Sequence, residues 1–486
     1  MAKNHSLGKD ALQLTLSKMI VLVISMITGM LLSRFRSIEE YGTYSQIIMA
    51  ITMATTIVMM GLPNSLNYFL AKADSDSERS HFLSVYYSSS TALSLLVGLI
   101  LVCLTPILVS YFKNPFISNF AYFLAIFPWT KIICASIENI LVVYKKTRLI
   151  TVYRILNSVA LLGIILLVQL MRWSFSVYML LYLLVEIIFS LWVYIIAYGC
   201  AGKISISFDF DLIKKIFTFS IPLGLASMVG TLNVELDKFV IGGMMDTESL
   251  AIYTNASKEM PVTIVATSIT AVLMPQMVKL IKNGQKTDAV RLWGDATEIS
   301  FIIICFISFA LVVFAPEVIT VLYSDKYIAG TSVFRVYSLI LLLRCTYFGM
   351  ILNTTGHTKF IFYSSLGSLA LNFVLNYAFY FLFGFIGPAI ASLTAQLLIN
   401  LFQVFWSAKL IKIPFKDIFP WKSLLIILLL NSLIAGIFWS LKNVFITGNI
   451  LNDILVAAIL GVLWFLACFL LQIKRLKQKW NSIKSE

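Results

Sequence analysis

The sequence predicts an all-α integral membrane protein with about fourteen transmembrane helices: two six-helix lobes related by a parallel internal repeat, plus two C-terminal helices. Three observations predict it. The 486 residues are 59% hydrophobic and only 12% charged, a balance that excludes a soluble fold of this length. Runs of about 20 or more mostly apolar residues, the length a helix needs to span hydrocarbon, recur along the whole chain. Short motifs also return in the same order a little over two hundred residues later.

The apolar runs cover 11–33, 42–69, 82–112, 116–142, 149–171, 174–198, 212–245, 250–280, 297–323, 331–353, 359–383, 385–408, 420–441 and 449–472. The first is too long for a signal-peptide core and no small-x-small cleavage pattern follows it, so it is expected to remain as a span. The second, third, seventh and eighth runs exceed the bilayer and are expected to emerge at one end. No connection between runs is long enough to fold as a separate catalytic domain.

The stretch Glu39-Glu40-Tyr41-Gly42-Thr43-Tyr44-Ser45 returns as Glu248-Ser249-Leu250-Ala251-Ile252-Tyr253-Thr254, an offset of 209. Leu62-Pro63 returns as Met274-Pro275 and Thr147-Arg148 as Thr358-Lys359, the offset drifting no further than 212. These matches pair the first run with the seventh, the second with the eighth and the fifth with the eleventh, so each copy holds six spans. Six is even; both copies enter the membrane from the same side, as in parallel-repeat transporters. The expected organisation is an N-terminal lobe over 1–200, a cytoplasmic linker over 201–211, a C-terminal lobe over 212–409, and two further spans with a basic tail over 410–486. Tandem copies of a multi-helix membrane unit predict a protein that moves a cargo.

The net charge of +14 would suit nucleic acid, but its distribution gives it another meaning. Of the 37 basic residues, 24 fall in the termini and one set of alternate connections, and only six (Arg34, Arg36, Lys113, Arg172, Lys326 and Lys442) in the other. This asymmetry places both termini in the cytoplasm, with attraction to anionic lipid as a secondary effect; no nucleic-acid partner is expected. The six cysteines are scattered without metal spacing or an evident disulfide partner, and His5, His81 and His357 form no metal-like group, so neither a metal nor a cofactor is expected. Asp74-Ser75-Asp76 and Asp209-Phe210-Asp211 fit the Asp-x-Asp pattern of nucleotide-sugar binding, but they lie in short connections with no nucleotide-binding fold around them and read as solvated turns. There is no phosphate-binding Gly-x-x-x-x-Gly-Lys-Ser/Thr loop.

Seven basic residues remain within the runs: Lys18, Lys131, Arg154, Lys238, Lys258, Arg335 and Arg344, facing the acids Glu138, Glu186, Glu235, Asp237 and Glu259. A charge at the bilayer centre costs at least about 2.5–3.5 kcal/mol on insertion scales, so each should meet a wet cavity or a partner. At 100° per residue, Lys18, Ser25 and Gly29 share one line of the first run, and Ser220, Ser227, Thr231 and Lys238 share one line of the seventh. The expectation is that both faces line a common cavity; the competing reading is close helix packing with snorkelling lysines. On the eighth run, Asn255, Glu259, Thr263 and Thr270 share a face within about 60°, which predicts an acidic, hydrogen-bonding strip beside Lys258. Arg335 and Arg344 then point to opposite faces of the tenth, with Arg344 the better cavity candidate and an ion pair with Glu138 or Glu186 its alternative. The substrate-binding candidates are therefore Lys18, Lys131, Arg154, Lys238, Lys258 and Arg344. Glu138, Glu186, Glu235, Asp237 and Glu259 are candidates for ion coupling or charge pairing.

Arg34-Phe35-Arg36-Ser37-Ile38-Glu39-Glu40-Tyr41-Gly42 resembles the first external turn of the polysaccharide and O-antigen flippases of the multidrug/oligosaccharidyl-lipid/polysaccharide (MOP) exporter superfamily. Gly61-Leu62-Pro63, Asp237-Lys238, Ile252-Tyr253, Gly356-His357-Thr358-Lys359 and Phe385-Ile386-Gly387-Pro388-Ala389-Ile390-Ala391 fall where that family shows similar residues. The resemblance covers nearly the whole chain. It implies a non-enzymatic protein of the bacterial inner membrane that flips undecaprenyl-pyrophosphate-linked oligosaccharide repeat units from the cytoplasmic to the periplasmic leaflet, by alternating access through a cationic central cavity. Its expected partners are that lipid-linked oligosaccharide, membrane lipids, a polysaccharide polymerase and chain-length proteins. The alternative is a cation-coupled multidrug antiporter of the same superfamily. Such exporters commonly carry an intramembrane acid early in the first lobe, and the first three runs contain none. A lipid-linked glycosyltransferase or polymerase would need a large external loop, which the sequence lacks.

Overall fold

The computed structural model describes residues 2–258 and 260–485, with side chains from 13 to 481 except 223 and 259. The described residues contain helices and no strand. In chain order these are α1 (Ala2–Phe35), α2 (Ile38–Met59), α3 (Leu62–Lys72), α4 (Asp76–Cys103), α5 (Thr105–Phe112), α6 (Ala121–Cys134), α7 (Ile137–Val143), α8 (Thr147–Leu170), α9 (Phe175–Ala201) and α10 (Phe210–Met244). There follow α11 (Thr247–Ala256), α12 (Ile264–Lys282), α13 (Lys286–Val313), α14 (Ala315–Tyr323), α15 (Thr331–Ile340), α16 (Met350–Thr354), α17 (Thr358–Phe383), α18 (Gly387–Ile411), α19 (Trp421–Phe445) and α20 (Ile450–Ser485). Each of the apolar runs overlaps a helix. Twelve helical stretches among the described residues are long and apolar enough to cross a membrane, or thirteen if the bent α10 counts as one. The count falls short of fourteen because Thr358–Ile411 is one 54-residue stretch by these measures, although a turn at Gly384 (φ 62°) divides it into α17 and α18.

The order of elements recurs along the chain. The series Asp76–Cys103, Thr105–Phe112, a 3₁₀ turn at Pro115–Phe120 and Ala121–Cys134 has a counterpart in Lys286–Val313, Ala315–Tyr323, a 3₁₀ turn at Asp325–Gly330 and Thr331–Ile340. The helix caps follow the same spacing. Ser37 caps α2 by a reciprocal pair with Glu40, and Asp246, 209 residues later, accepts the Ser249 backbone N–H at 2.7 Å.

Packing divides the chain into two compact units, residues 1–235 with 241–251 and residues 236–240 with 252–486. The boundary lies near the C-terminal end of α10, so it does not coincide with the 201–211 connection. Within the first unit the core gathers Leu66, Leu83, Tyr86, Tyr87, Ile133, Ile140 and Val193. Within the second, Trp293 packs on Phe419, and Val313, Phe438 and Trp464 join α13 to α19 and α20. Three polar pins hold this last pair of helices: Lys442 to Glu317 (2.6 Å) and the Val313 carbonyl (2.9 Å), Arg475 to Glu298 (3.3 Å), and Lys479 to Asp295 (2.5 Å). Three cations that the sequence offers only as loop charges thus serve as packing contacts.

Breaks in the long runs correct two of the helical-face readings. The run 250–280 is two helices, α11 ending at Ala256 and α12 starting at Ile264, with Pro261 opening a 3₁₀ turn between them; proline cannot continue α11, and the strip from Asn255 to Thr270 does not lie on one helix. The tenth run ends as α-helix at Ile340 and tightens to a 3₁₀ turn at Leu341–Arg344, so Arg335 and Arg344 are not related by an α-helical rotation. In the seventh run, α10 bends by 52° between Pro222 and Gly224, which takes Ser220 off the line of Ser227, Thr231 and Lys238. The Gly61-Leu62-Pro63 motif has a direct physical role. It separates α2 from α3 with Gly61 at φ 75°, and Gly61 meets Gly224 so closely that a Cβ on Gly224 would stand 1.9 Å from the Met60 carbonyl carbon. Two chain breaks touch backbone to backbone because neither carries a side chain there.

Candidate functional site

In the first unit, α1 is continuous through its polar face and packs along α8. Lys18 on α1 and Arg154 on α8 both reach Glu138, at the start of α7. The Lys18 ammonium lies 2.9 Å from one carboxylate oxygen, and the Arg154 guanidinium donates to the other. Their side chains are 58%, 21% and 32% exposed for Lys18, Arg154 and Glu138 respectively, so the cluster is open on the lysine side. Two cations share one acid, leaving a net charge of about +1. On the same helices, Asn139 of α7 accepts from Asn67 at 2.8 Å, and Gln13 of α1 donates to Thr151 of α8 at 3.4 Å. This brings together three residues that the sequence nominated separately, and gives Glu138 the partners Lys18 and Arg154.

Two further charges of the same unit have different surroundings. Lys131, near the end of α6, donates to Thr52 Oγ1 on α2 at 2.7 Å, with Glu235 as the acid acting on it electrostatically. Glu186, in the middle of α9, is only 9% exposed. Its one hydrogen-bond donor is the Asn157 amide (3.2 Å), and no cation lies within ion-pair distance among the described residues. Around it stand Tyr44, Tyr153, Tyr182 and the Cys134 thiol. Thr52 and Asn157 escaped the sequence reading because a single threonine or asparagine in an apolar run carries no spacing signal.

In the second unit, Asp237 is completely buried and accepts the Tyr253 hydroxyl at 3.1 Å and the Lys238 backbone N–H at 2.8 Å. The Asp237-Lys238 and Ile252-Tyr253 motifs are therefore two halves of one contact between α10 and α11. Lys258 sits over the Tyr323 ring, 6.0 Å from its centroid, with Lys238 close enough to act on it electrostatically. Arg335 is committed to structure: its guanidinium stacks on Trp439 at 4.6 Å and its Nε donates to the Val312 carbonyl at 3.2 Å. Arg344 lies in the 3₁₀ turn after α15. Glu259 lies outside the described residues. The two Asp-x-Asp signals resolve into helix caps. Ser75 accepts the Glu78 backbone N–H at 3.2 Å at the start of α4, and Asp209 accepts the Leu212 backbone N–H at 3.0 Å at the start of α10. That N–H and the His81 side chain hold the Asp209 carboxyl below the usual carboxylate range.

Long apolar helices with charges gathered between them define a multi-pass membrane protein of transporter architecture. Its sequence matches the polysaccharide biosynthesis protein family over residues 31–331, and the chain belongs to that family. The fold is that of solved MOP-type transporters. Against the lipid II flippase MurJ in an inward closed conformation the TM-score is 0.74 at 14% identity, covering 95% of this chain and 99% of that one. Against an inward-facing multidrug resistance MATE family transporter of the MOP superfamily it is 0.64 at 16% identity, covering 83% and 98%. A MOP superfamily transporter from Pyrococcus furiosus, described as having a binding pocket of reverse polarity, gives 0.55 at 15% identity over 84% and 95%. No curated protein matches at the level of sequence.

Proposed function

We propose that this chain is a flippase of the bacterial inner membrane, with both termini cytoplasmic, that moves undecaprenyl-pyrophosphate-linked oligosaccharide repeat units from the cytoplasmic to the periplasmic leaflet by alternating access. The observation that carries the reading is the Lys18–Glu138–Arg154 cluster, a net-positive group within a membrane-spanning unit, partly exposed on its lysine side. A pyrophosphate carries about two negative charges and cannot cross hydrocarbon bare. A lysine and an arginine held together by one acid replace part of its hydration. Lys131, Lys238, Lys258 and Arg344 are the further cations proposed along its route, and the polyprenyl tail stays in lipid. The recurrence of element order supports two tandem six-helix copies. Polymerase and chain-length proteins are the proposed partners.

A multidrug antiporter remains the second reading, favoured by one feature: Glu186, a buried acid with no cation beside it, is the kind of group that handles a proton or a cationic drug. Gene deletion separates the two. A flippase leaves sugar units assembled on their lipid carrier and trapped in the inner leaflet, with surface polysaccharide lost. Normal surface polysaccharide together with new sensitivity to cationic drugs would refute the flippase reading.

A further inference from the structure

The connection between α9 and α10 alternates in kind: Ile204, Ile206, Phe208 and Phe210 are apolar, whereas Ser205, Ser207 and Asp209 are polar. It lacks helix from Lys203 to Asp209, and an extended chain sends alternate residues to opposite sides. Its backbone is fastened to α4 along one edge, and Asp209 joins through its side chain. Ser80 Oγ donates to the Lys203 carbonyl, the Ser205 backbone N–H to Ser84 Oγ (3.1 Å), the Ser207 N–H to Ser88 Oγ (3.0 Å), and His81 meets Asp209 at 3.2 Å. Four residues of helix rise about 6 Å and two of extended chain about 6.6 Å, so Ser80, Ser84 and Ser88 stay in step with Lys203, Ser205 and Ser207, after which the chain returns toward the start of α4, where His81 meets Asp209.

The apolar side is left outward. Ile206 is 88% and Phe210 80% exposed, and Phe208 is half exposed. Exposed aromatic and aliphatic side chains between Lys203 and Lys214-Lys215 are the composition of a segment lying at the headgroup level of a bilayer. Beside the strap is a cavity of about 990 Å³, walled by Ile204, Ile206 and Phe208 together with Leu95, Leu191 and Ile195. Tyr87 and Ser88 in its wall are already engaged, with Ser136 and with the Ser207 N–H. The Thr91 and Tyr194 hydroxyls bond each other at 2.5 Å, and Trp129 Nε1 donates to Tyr194 at 3.1 Å. The wall therefore offers hydrocarbon, and lysines bracket the strap in sequence. None of the helices lining it, α4, α6 and α9, carries Lys18, Glu138 or Arg154, and Lys131 of α6 is not among the residues that wall it, so its occupant is taken to be distinct from the cargo proposed above.

We propose that this cavity is a binding site for an anionic phospholipid, an acyl chain filling the space under the strap and the phosphate meeting Lys203, Lys214 and Lys215. The strap then does more than join the two sequence copies; it seats the first unit at the membrane surface. The test uses the full chain in mild detergent, titrated with phosphatidylglycerol, phosphatidylcholine or undecaprenyl phosphate and read by native mass spectrometry. Phosphatidylglycerol should stay bound where phosphatidylcholine is lost. Replacing the three lysines by glutamine should weaken it by about fivefold per residue. Ala92→Trp, which fills the cavity, should abolish retention. Leu191→Gln with Ile195→Gln, on the exposed side of α9, should do the same without filling it, which guards against misfolding of the tryptophan variant. Equal retention of the two phospholipids, unchanged binding in both cavity variants, or displacement of phosphatidylglycerol by an equimolar amount of undecaprenyl phosphate would overturn the assignment.

Discussion

Replacing Glu138 by glutamine changes the charge of the cluster without changing its shape, and its consequences can be worked from the geometry. The Lys18 pair is 2.9 Å long, but its lysine is more than half exposed, so its share of stability is at most about 1 kcal/mol. Arg154 is less exposed, and a hydrogen bond to a charged group in such a place contributes about 1.5–3 kcal/mol before solvent screening. Glutamine retains one acceptor, so the loss of folding stability should be about 1–2 kcal/mol. Affinity for a pyrophosphate should move the other way. The cluster changes from about +1 to about +2, and one more unit charge near 4 Å contributes from about 1 kcal/mol in water to about 4 at an effective dielectric constant of 20. With the lysine side open the lower figure applies, which is about a fivefold gain. The assay is binding of farnesyl pyrophosphate to the purified protein by thermophoresis, repeated at rising salt, beside thermal unfolding of the same samples. If Glu138→Gln lowers stability but leaves pyrophosphate affinity unchanged, the cluster only joins helices and the proposed contact is wrong.

Three other outcomes follow from the same structure. Gly224→Ala should cost about 3 kcal/mol or more, because its Cβ meets the Met60 backbone and not a flexible side chain, while Gly163→Ala, with open space around it, should stay within about 0.5 kcal/mol; thermal unfolding monitored by size exclusion compares them. Asp246→Ala should cost about 1 kcal/mol at neutral pH through loss of the α11 cap. Bonds from the Ser249 hydroxyl and then its backbone N–H hold the Asp246 carboxyl below its ordinary range, so this stability is present above the unfolded pKa and disappears as pH falls through the depressed one; wild type and variant should converge only in strong acid, as acid-unfolding curves will record. Glu186→Gln should leave folding intact, because the amide replaces a carboxyl whose surroundings are aromatic rings and one amide donor, but should remove any dependence of transport on a proton gradient. Retention of that dependence in reconstituted vesicles would exclude Glu186 as the coupling group.

The helical class, the extent of most spans and the charges inside them were legible because each depends on one physical signal: apolar length, or the cost of a charge in hydrocarbon. What the sequence hid was pairing. Lys18, Glu138 and Arg154 lie on three helices more than a hundred residues apart at the extremes, and no spacing rule joins them. The helical-face arguments failed where Pro261 and Pro222 interrupt the helix or a 3₁₀ turn replaces it, as before Arg344, whereas Lys18, Ser25 and Gly29 do lie on one continuous helix, α1. The motifs that carried the resemblance were legible as residues but not as reasons. Gly61 is needed for its contact with Gly224, and Tyr253 for its bond to Asp237, both visible only in three dimensions.

The two buried acids, Asp237 and Glu186, answer the same problem in opposite ways. A carboxylate taken out of water must be neutralised, paired or supplied with hydrogen bonds. Asp237 receives a hydroxyl and a backbone N–H, both fixed by the α10–α11 junction, so its charge is held as part of the fold. Glu186 receives a single amide and faces tyrosine hydroxyls that can reorient to donate or accept. A fully supplied acid locks two helices, whereas an under-supplied one changes state when a proton or cation arrives. Asp237 is thus tied into the α10–α11 junction from two sides, whereas Glu186 has one amide donor and a ring of tyrosines, which makes it the acid on which the ion-coupling prediction above is tested.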